Sequence, residues 1–374
     1  MILTNANVWS PDSKWIVFDR RSDAAGSRFD STTIERMFVA TGETEVLYRS
    51  GHGAHVGVAT VNPVDGRVVF IHGPEHPTDD WQYSACHRQG MIAEPSQPGR
   101  AIPLDARDLV PPFTRGALRG GSHVHTWDSR GEWVSFTYED HLQPHRRTVG
   151  LAIPGRVSVP KTHPRNHDGS HASVVSVATV GEPEPGSEEI GRAFEDAWIP
   201  GTRSITFIGE LRAADGRRVN ELFRLDYPER FDRPDPGPAG MMPAPPREFQ
   251  PIRLTRWTGG LTTSPRHWPR ASGGRVACLV GTGQLILVSF DGRIVETGVT
   301  VDSAFTWHPD GEHLIAVVGG RPSRIHVDSR RVVPLSEERA RPEACVVSPD
   351  GTMVAYVAES SEGNRIRFAK VGKS

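Results

Sequence analysis

Lysine is nearly missing from this 374-residue chain: it occurs at Lys14, Lys161, Lys370 and Lys373, so 39 of the 43 basic residues are arginine. Those arginines are spread along the whole length, which reads as the habit of a GC-rich genome rather than as one built anion surface. Acid and base nearly balance at a formal net charge of −2, so there is no global basic field to hold nucleic acid or an anionic membrane. Cysteines are three, Cys86, Cys278 and Cys345, an odd number with no C-x-x-C spacing. That argues against a disulfide framework and against a cysteine-rich zinc site. No stretch approaches the ~18 consecutive apolar residues of a membrane span. The opening "MILTNANVWSPDSKWIVF" lacks a basic segment followed by a long apolar one, so the expected location is the cytoplasm. A Gly-rich phosphate loop, a G-x-S-x-G elbow and an H-E-x-x-H helix are also missing, which disfavours nucleotide-dependent, serine-hydrolase and zincin chemistry.

What the chain has is turns. It carries 38 Gly and 31 Pro beside an apolar fraction of 37%, the signature of many short strands around a real core. One unit recurs: an apolar strand, then Trp or Val, then a Ser/His-Pro-Asp-Gly turn, then a second strand. The clearest copies are "NVWSPDSKWIVF" from Asn7, "FTWHPDGEHLIAVV" from Phe305 and "CVVSPDGTMVAYV" from Cys345. Weaker copies are "ATVNPVDGRVVF" from Ala59 and "HTWDSRGEWVSF" from His125, and degenerate ones begin at Asp196 and Arg266. The anchors fall at 9, 61, 127, 198, 268, 307 and 347, and the late spacings of 39 and 40 residues match one four-stranded propeller blade. In the turn, Pro presets φ, Asp bonds the backbone ahead and Gly accepts φ > 0. The pattern predicts an all-β, seven-bladed β-propeller of four-stranded antiparallel blades, with residues 1–374 as one domain. "ILT" at 2–4 is expected to complete the last blade after "NRIRFAKV", so that the N-terminal strand closes the ring. Two regions break the repeat, about 141–193 and 228–248, and are expected to be insertions able to cover the channel mouth.

The Trp-Ser-Pro-Asp-Gly blades resemble TolB-like propellers along nearly the whole chain. "NVWSPDSKWIVFDRR", "GALRGGSHVHTWDSRGEWVSFTYED" and "EPEPGSEEIGRAFEDAWI" look like the YidR-type family of bacterial propellers, whose function is unknown. A more distant resemblance is to oligogalacturonate lyases, which hold a divalent metal on histidines and a glutamine and cleave uronides by β-elimination. Their blades carry His-x-His just before a Ser-Pro-Asp-Gly turn, and His123 and His125 match that pair.

Inner strands line a propeller's channel, so the residues before each turn are candidates for chemistry. His123 and His125 stand at alternate positions, which on a regular strand share a face, and two neutral imidazoles so placed can reach one divalent ion. A third ligand is expected from His55, at the start of blade two's inner strand, or from His171. Asp196, at the matching place in blade four, is a candidate acid or base, and Arg21 or Arg266 is expected to neutralise an anionic substrate. His141, His145, His163 and His167 fall in polar segments and read as solvated. The leading expectation is therefore a divalent-metal-dependent lyase (Mn, Zn or similar) on a small carbohydrate-like acid. The alternative is a non-catalytic scaffold binding a protein or peptide partner.

Overall fold

A computed structural model describes residues 1–23, 26–343, 345–359 and 363–372. Among these residues the chain forms seven antiparallel meander sheets, arranged as the blades of a ring, and its helical content is a single 3-10 turn at Ala85–His87. No helix is long and apolar enough to cross a membrane. Five sheets have four strands and two have three. Blade one, built on Trp15–Asp19, Thr33–Phe38 and Thr44–Arg49, gains an inner edge through bridges from Trp9 to Ile16 and from Ile2 to Asp19.

That inner edge corrects the expectation for residues 2–4. The Ile2 N–H donates to the Asp19 carbonyl at 3.0 Å, so "ILT" belongs to blade one, and blade seven has three strands among the described residues, Val346–Val347, Met353–Ala358 and Arg365–Lys370. Blade seven instead meets blade one by packing and by hydrogen bonds across the seam, among them the Met1 ammonium to the Asn364 carbonyl at 3.4 Å and the Asp350 N–H to Ser13 Oγ at 3.3 Å. The Trp9 indole N–H donates to the Val346 carbonyl at 3.0 Å and its ring stands edge-on to Phe368, beside Leu3, Ile16, Ala355 and Ile366. The same device recurs where Trp198 donates to Thr126 O at 2.9 Å and Trp307 to Arg270 O at 2.7 Å. Apolar side chains from neighbouring blades form a succession of cores between the sheets, for example Ile208, Leu222, Val276 and Ile286 between blades four and five. Adjacent sheets thereby remove both faces from water, which is where the hydrophobic stabilisation lies.

The repeated turn works as its residues dictate. In blade seven, Ser348 Oγ donates to Asp350 Oδ1 at 2.6 Å and accepts the Met353 N–H at 3.0 Å, while Gly351 takes φ 74°. Blade three keeps the geometry with other chemistry: Asp128 Oδ1 replaces the serine and accepts the N–H groups of Glu132 and Trp133 at 2.8 and 3.0 Å. Part of 141–193 is regular after all. Arg147–Val157 and Gly169–Val175 are the third and outer strands of blade three, and a polar link at 158–168 hid their pattern. Residues 228–248 are irregular and lie along blade three, away from the channel. The fully buried Arg119, paired with Asp140 at 2.8 Å, donates to the carbonyls of Pro238 at 2.9 Å and Met241 at 2.5 Å.

Candidate functional site

Three inner strands share one departure from regularity. Val58, Val124 and Glu195 hold φ of 56°, 56° and 53°, each at a register shift against the neighbouring strand. Left-handed backbone at a β-branched residue costs on the order of 1–3 kcal/mol and persists only where its surroundings enforce it. A bulge also breaks the alternation of side chains. In blade three His123 and Val124 both face the channel, and His125 is thrown outward between blades two and three. Blade four repeats this: Glu195 faces the channel and Asp196 is buried behind it.

Val58, Val124, Ala197, Trp268 and Ala304 pack together with Ile71 and Phe29 as an apolar belt within the ring. On the turn side lies a mouth of about 320 Å³ lined by Trp9, Trp127, Trp198 and Trp307 with the turn prolines. On the other side is a polar cavity of about 530 Å³ carrying Arg21, Arg88, Arg147 and Arg266 against Glu195 and Glu343, with His123, Tyr83 and Phe29.

The four guanidinium groups differ in how they are compensated. Arg21 Nε contacts the buried Asp19 at 2.9 Å, Arg147 Nε bonds Glu139 Oε1 at 2.6 Å, and Arg266 grips Glu195 through two bonds of 2.8 and 3.1 Å. Among the described residues, Arg88 has no carboxylate within ion-pair distance. It lies over the Tyr83 ring at 4.9 Å and its buried Nε has no hydrogen-bond partner. Burial holds its guanidinium below the usual arginine range, with only Tyr83 and the distant Glu139 opposing. Burial, reinforced by Arg88 and Arg147, keeps His123 far below the ordinary imidazole range, and its Nδ1 has no partner. Tyr83 is pushed up to about 12 by burial and stays a neutral phenol.

The histidines expected to share one ion are not brought together. His125 Nε2 is 2.9 Å from Ser122 Oγ, which in turn donates to the buried Asp105. His171 is on blade three's outer strand with Nδ1 2.9 Å from Ser170 Oγ, and His55 sits just ahead of Val56–Val61 with a buried, unpartnered Nδ1. These positions do not fit one cation held by His55, His123, His125 and His171. Asp196 does not reach the cavity either; burial pushes its carboxyl up to about 7. Arg21 and Arg266 do line the cavity, both already paired. The sequence reading missed Arg88, Arg147, Glu195 and Tyr83, which no repeat position marks.

A His/Cys trio that could hold a metal ion does exist beside this mouth: Cys86, His87 and His141 place one donor atom each within 4.8 Å of one another. His141, read as solvated, is half-buried here, and the half-buried His167 has an Nε2 out of contact with water.

Ring, bulges and arginine-lined cavity define a seven-bladed β-propeller with a small-molecule-sized polar mouth. Residues 55–167 match a family described as "Protein of unknown function (DUF3748)". Over 387 aligned residues, covering 95% of this chain and 92% of the relative, it is 42% identical to "Uncharacterized protein YidR" of Escherichia coli K12; the chain belongs to the YidR family. Among solved structures, a puromycin-hydrolyzing peptidase of Mycobacterium tuberculosis is similar at TM-score 0.52 and 14% identity over 91% of this chain, which spans 50% of the peptidase's length. That likeness is one of fold. Oligogalacturonate lyase of Vibrio parahaemolyticus is similar at TM-score 0.43 and 11% identity, over 98% of this chain and 76% of the lyase.

Proposed function

We propose that the arginine-lined mouth binds a small carboxylated, sugar-like ligand and that the protein acts on it as a lyase, by β-elimination. The observation that carries this reading is Arg88, a half-buried cation without a carboxylate, facing a cavity that holds three more guanidinium groups. A guanidinium held partly out of water with no carboxylate beside it is destabilised, and an anionic ligand supplies the missing partner. A carboxylate held by Arg88 has its charge neutralised, which acidifies the C–H bond next to it. His123 faces the same cavity with a free lone pair and accepts that proton once the bound carboxylate offsets the Arg88 and Arg147 charges that oppose its protonation. The electron pair forms the C=C bond as the β C–O bond breaks, and the protonated Tyr83 phenol gives its proton to the departing oxygen. Because the four expected histidines do not share one site, no step runs through a cation.

Thermal shift with galacturonate, glucuronate and the matching neutral sugars tests binding, and ultraviolet absorbance of unsaturated products from oligouronides tests elimination. The expected result is stabilisation by the acids alone, lost in Arg88→Gln, with product formation lost in His123→Ala. Equal response to acids and neutral sugars would overturn the binding assignment, and product formed by His123→Ala would overturn the role of that residue.

A further inference from the structure

The segment between Val68–His72 and Gln89–Ala93 of blade two folds over the start of blade three's inner strand. Its 3-10 turn Ala85–His87 is seated tightly: a Cβ on Gly121 would lie 2.2 Å from the Ala85 carbonyl oxygen, so only glycine admits this approach. The fully enclosed Arg107 fixes the turn from below by donating to the carbonyls of His87 at 3.2 Å, Arg88, and Gly120 at 3.1 Å. Trp81 lies flat on the His87 ring, 3.7 Å between centroids and 17° between planes.

His87 Nδ1 is 2.7 Å from the Gln82 carbonyl oxygen. A carbonyl only accepts, so Nδ1 carries the proton and Nε2 is left with its lone pair. That lone pair points to His141 Nδ1 at 3.1 Å, and the Cys86 sulfur completes the group within 4.8 Å. A backbone carbonyl that fixes one ring nitrogen so the other can ligate is the usual outer support of a zinc-bound imidazole. Around a tetrahedral zinc, with bonds near 2.0–2.1 Å to nitrogen and 2.3 Å to sulfur, donor atoms stand roughly 3.3–3.7 Å apart. The trio needs only small side-chain adjustments to reach that spacing. We propose that Cys86 Sγ, His87 Nε2 and His141 Nδ1 form a Cys-His₂ site for a borderline-soft divalent cation of the zinc type, with the fourth position open to water. One thiolate and two imidazoles favour zinc over calcium or magnesium, which take oxygen ligands.

The site is distinct from the arginine-lined mouth, although Tyr83 and Arg88 of that mouth flank the ligands in sequence. It does not depend on what the mouth binds. The test uses the purified full chain, freed of metal with a chelator and titrated with Zn²⁺ and with Co²⁺ as a spectroscopic substitute. The expected result is one equivalent bound, with a sulfur-to-cobalt charge-transfer band that disappears in Cys86→Ser. Zinc affinity should fall at least 100-fold in Cys86→Ser and in His141→Ala, and stay unchanged in His123→Ala. Thermal melts in chelator check that each variant folds as the metal-free parent does. Absence of the band at one equivalent, its survival in Cys86→Ser, or iodoacetamide alkylation of Cys86 that one equivalent of Zn²⁺ does not slow would overturn the assignment. Because the readout is spectroscopic, its failure leaves the carboxylate reading of the mouth untouched, and the reverse also holds.

Discussion

Asp196 should make the protein less stable as pH rises, and Asp196→Asn should remove that dependence. The carboxyl is enclosed between blades three and four, 1% exposed, with neither oxygen hydrogen-bonded in good geometry. Ser135, Thr137 and Tyr227 are its polar surroundings, and Glu195 is the adjacent charge. Burial pushes its pKa up from 3.8 to about 7. Between those values the folded protein holds a proton that the unfolded chain has released, so stability is fully present below about pH 4 and is lost as pH climbs through 7. At about 1.36 kcal/mol per pH unit the whole span is worth roughly 4 kcal/mol, and the part between pH 5 and pH 7 roughly 3 kcal/mol. Urea unfolding of parent and Asp196→Asn at pH 5 and pH 8 measures it as a difference of differences, in which the other buried acids, Asp19 and Asp105, cancel. The variant should gain about 3 kcal/mol relative to the parent on going from pH 5 to pH 8. Parallel pH profiles for the two proteins would refute the reasoning, because they would mean that Asp196 is solvated or paired in the folded state.

Two further perturbations probe the scaffold. Trp9→Phe and Trp127→Phe lose the same ring volume from the core, but Trp9→Phe also removes the indole N–H bond that joins blade one to blade seven while Trp127→Phe deletes a buried N–H without a partner, so Trp9→Phe should cost about 1–2 kcal/mol more in urea unfolding; equal losses would contradict the assigned bonding. Asp140→Ala leaves Arg119 as an uncompensated buried charge and should cost about 3–5 kcal/mol, with faster proteolytic cleavage within 228–248 as the carbonyl contacts of Arg119 loosen; unchanged cleavage would show that the loop is held by other means.

The propeller was legible because its turns need particular chemistry at fixed intervals. Ser10, Ser348 and their neighbouring aspartates bond the backbone directly, so the same few residues recur and count the blades. Ring closure was not legible, because it rests on Trp9 and Phe368 packing across the seam, and a single strand-like triplet at 2–4 fits the inner edge of blade one as well as the outer edge of blade seven. Blade three's outer half escaped for a related reason. Arg147–Val157 ends in an exposed Pro-Gly-Arg stretch and is followed by eleven polar-rich residues, so its apolar face shows only over Thr148–Ala152.

The site failed to show in sequence for one physical reason that acts twice. Strand alternation places His123 with His125 and leaves Val124 opposite, but the left-handed residue between them rotates the chain by one position. His123 then joins Val124 in the cavity and His125 goes to Ser122. At Glu195 the same turn of backbone exchanges the two acids, so the half-buried Glu195 meets Arg266 at the mouth while Asp196 is sealed away. Neither Val58 nor Val124 has the glycine or asparagine that advertises positive φ in a sequence. A β-branched residue held there implies that the rest of the ring enforces the conformation, and what all three bulges have in common is the side chain they deliver to the arginine-lined cavity: Val58 and Val124 to its floor and Glu195 to its wall. If the bulges serve that cavity and not the blades, then Val124→Gly should relieve backbone strain while removing part of the floor. The loss should therefore appear in carboxylate binding at the mouth before it appears in the unfolding free energy.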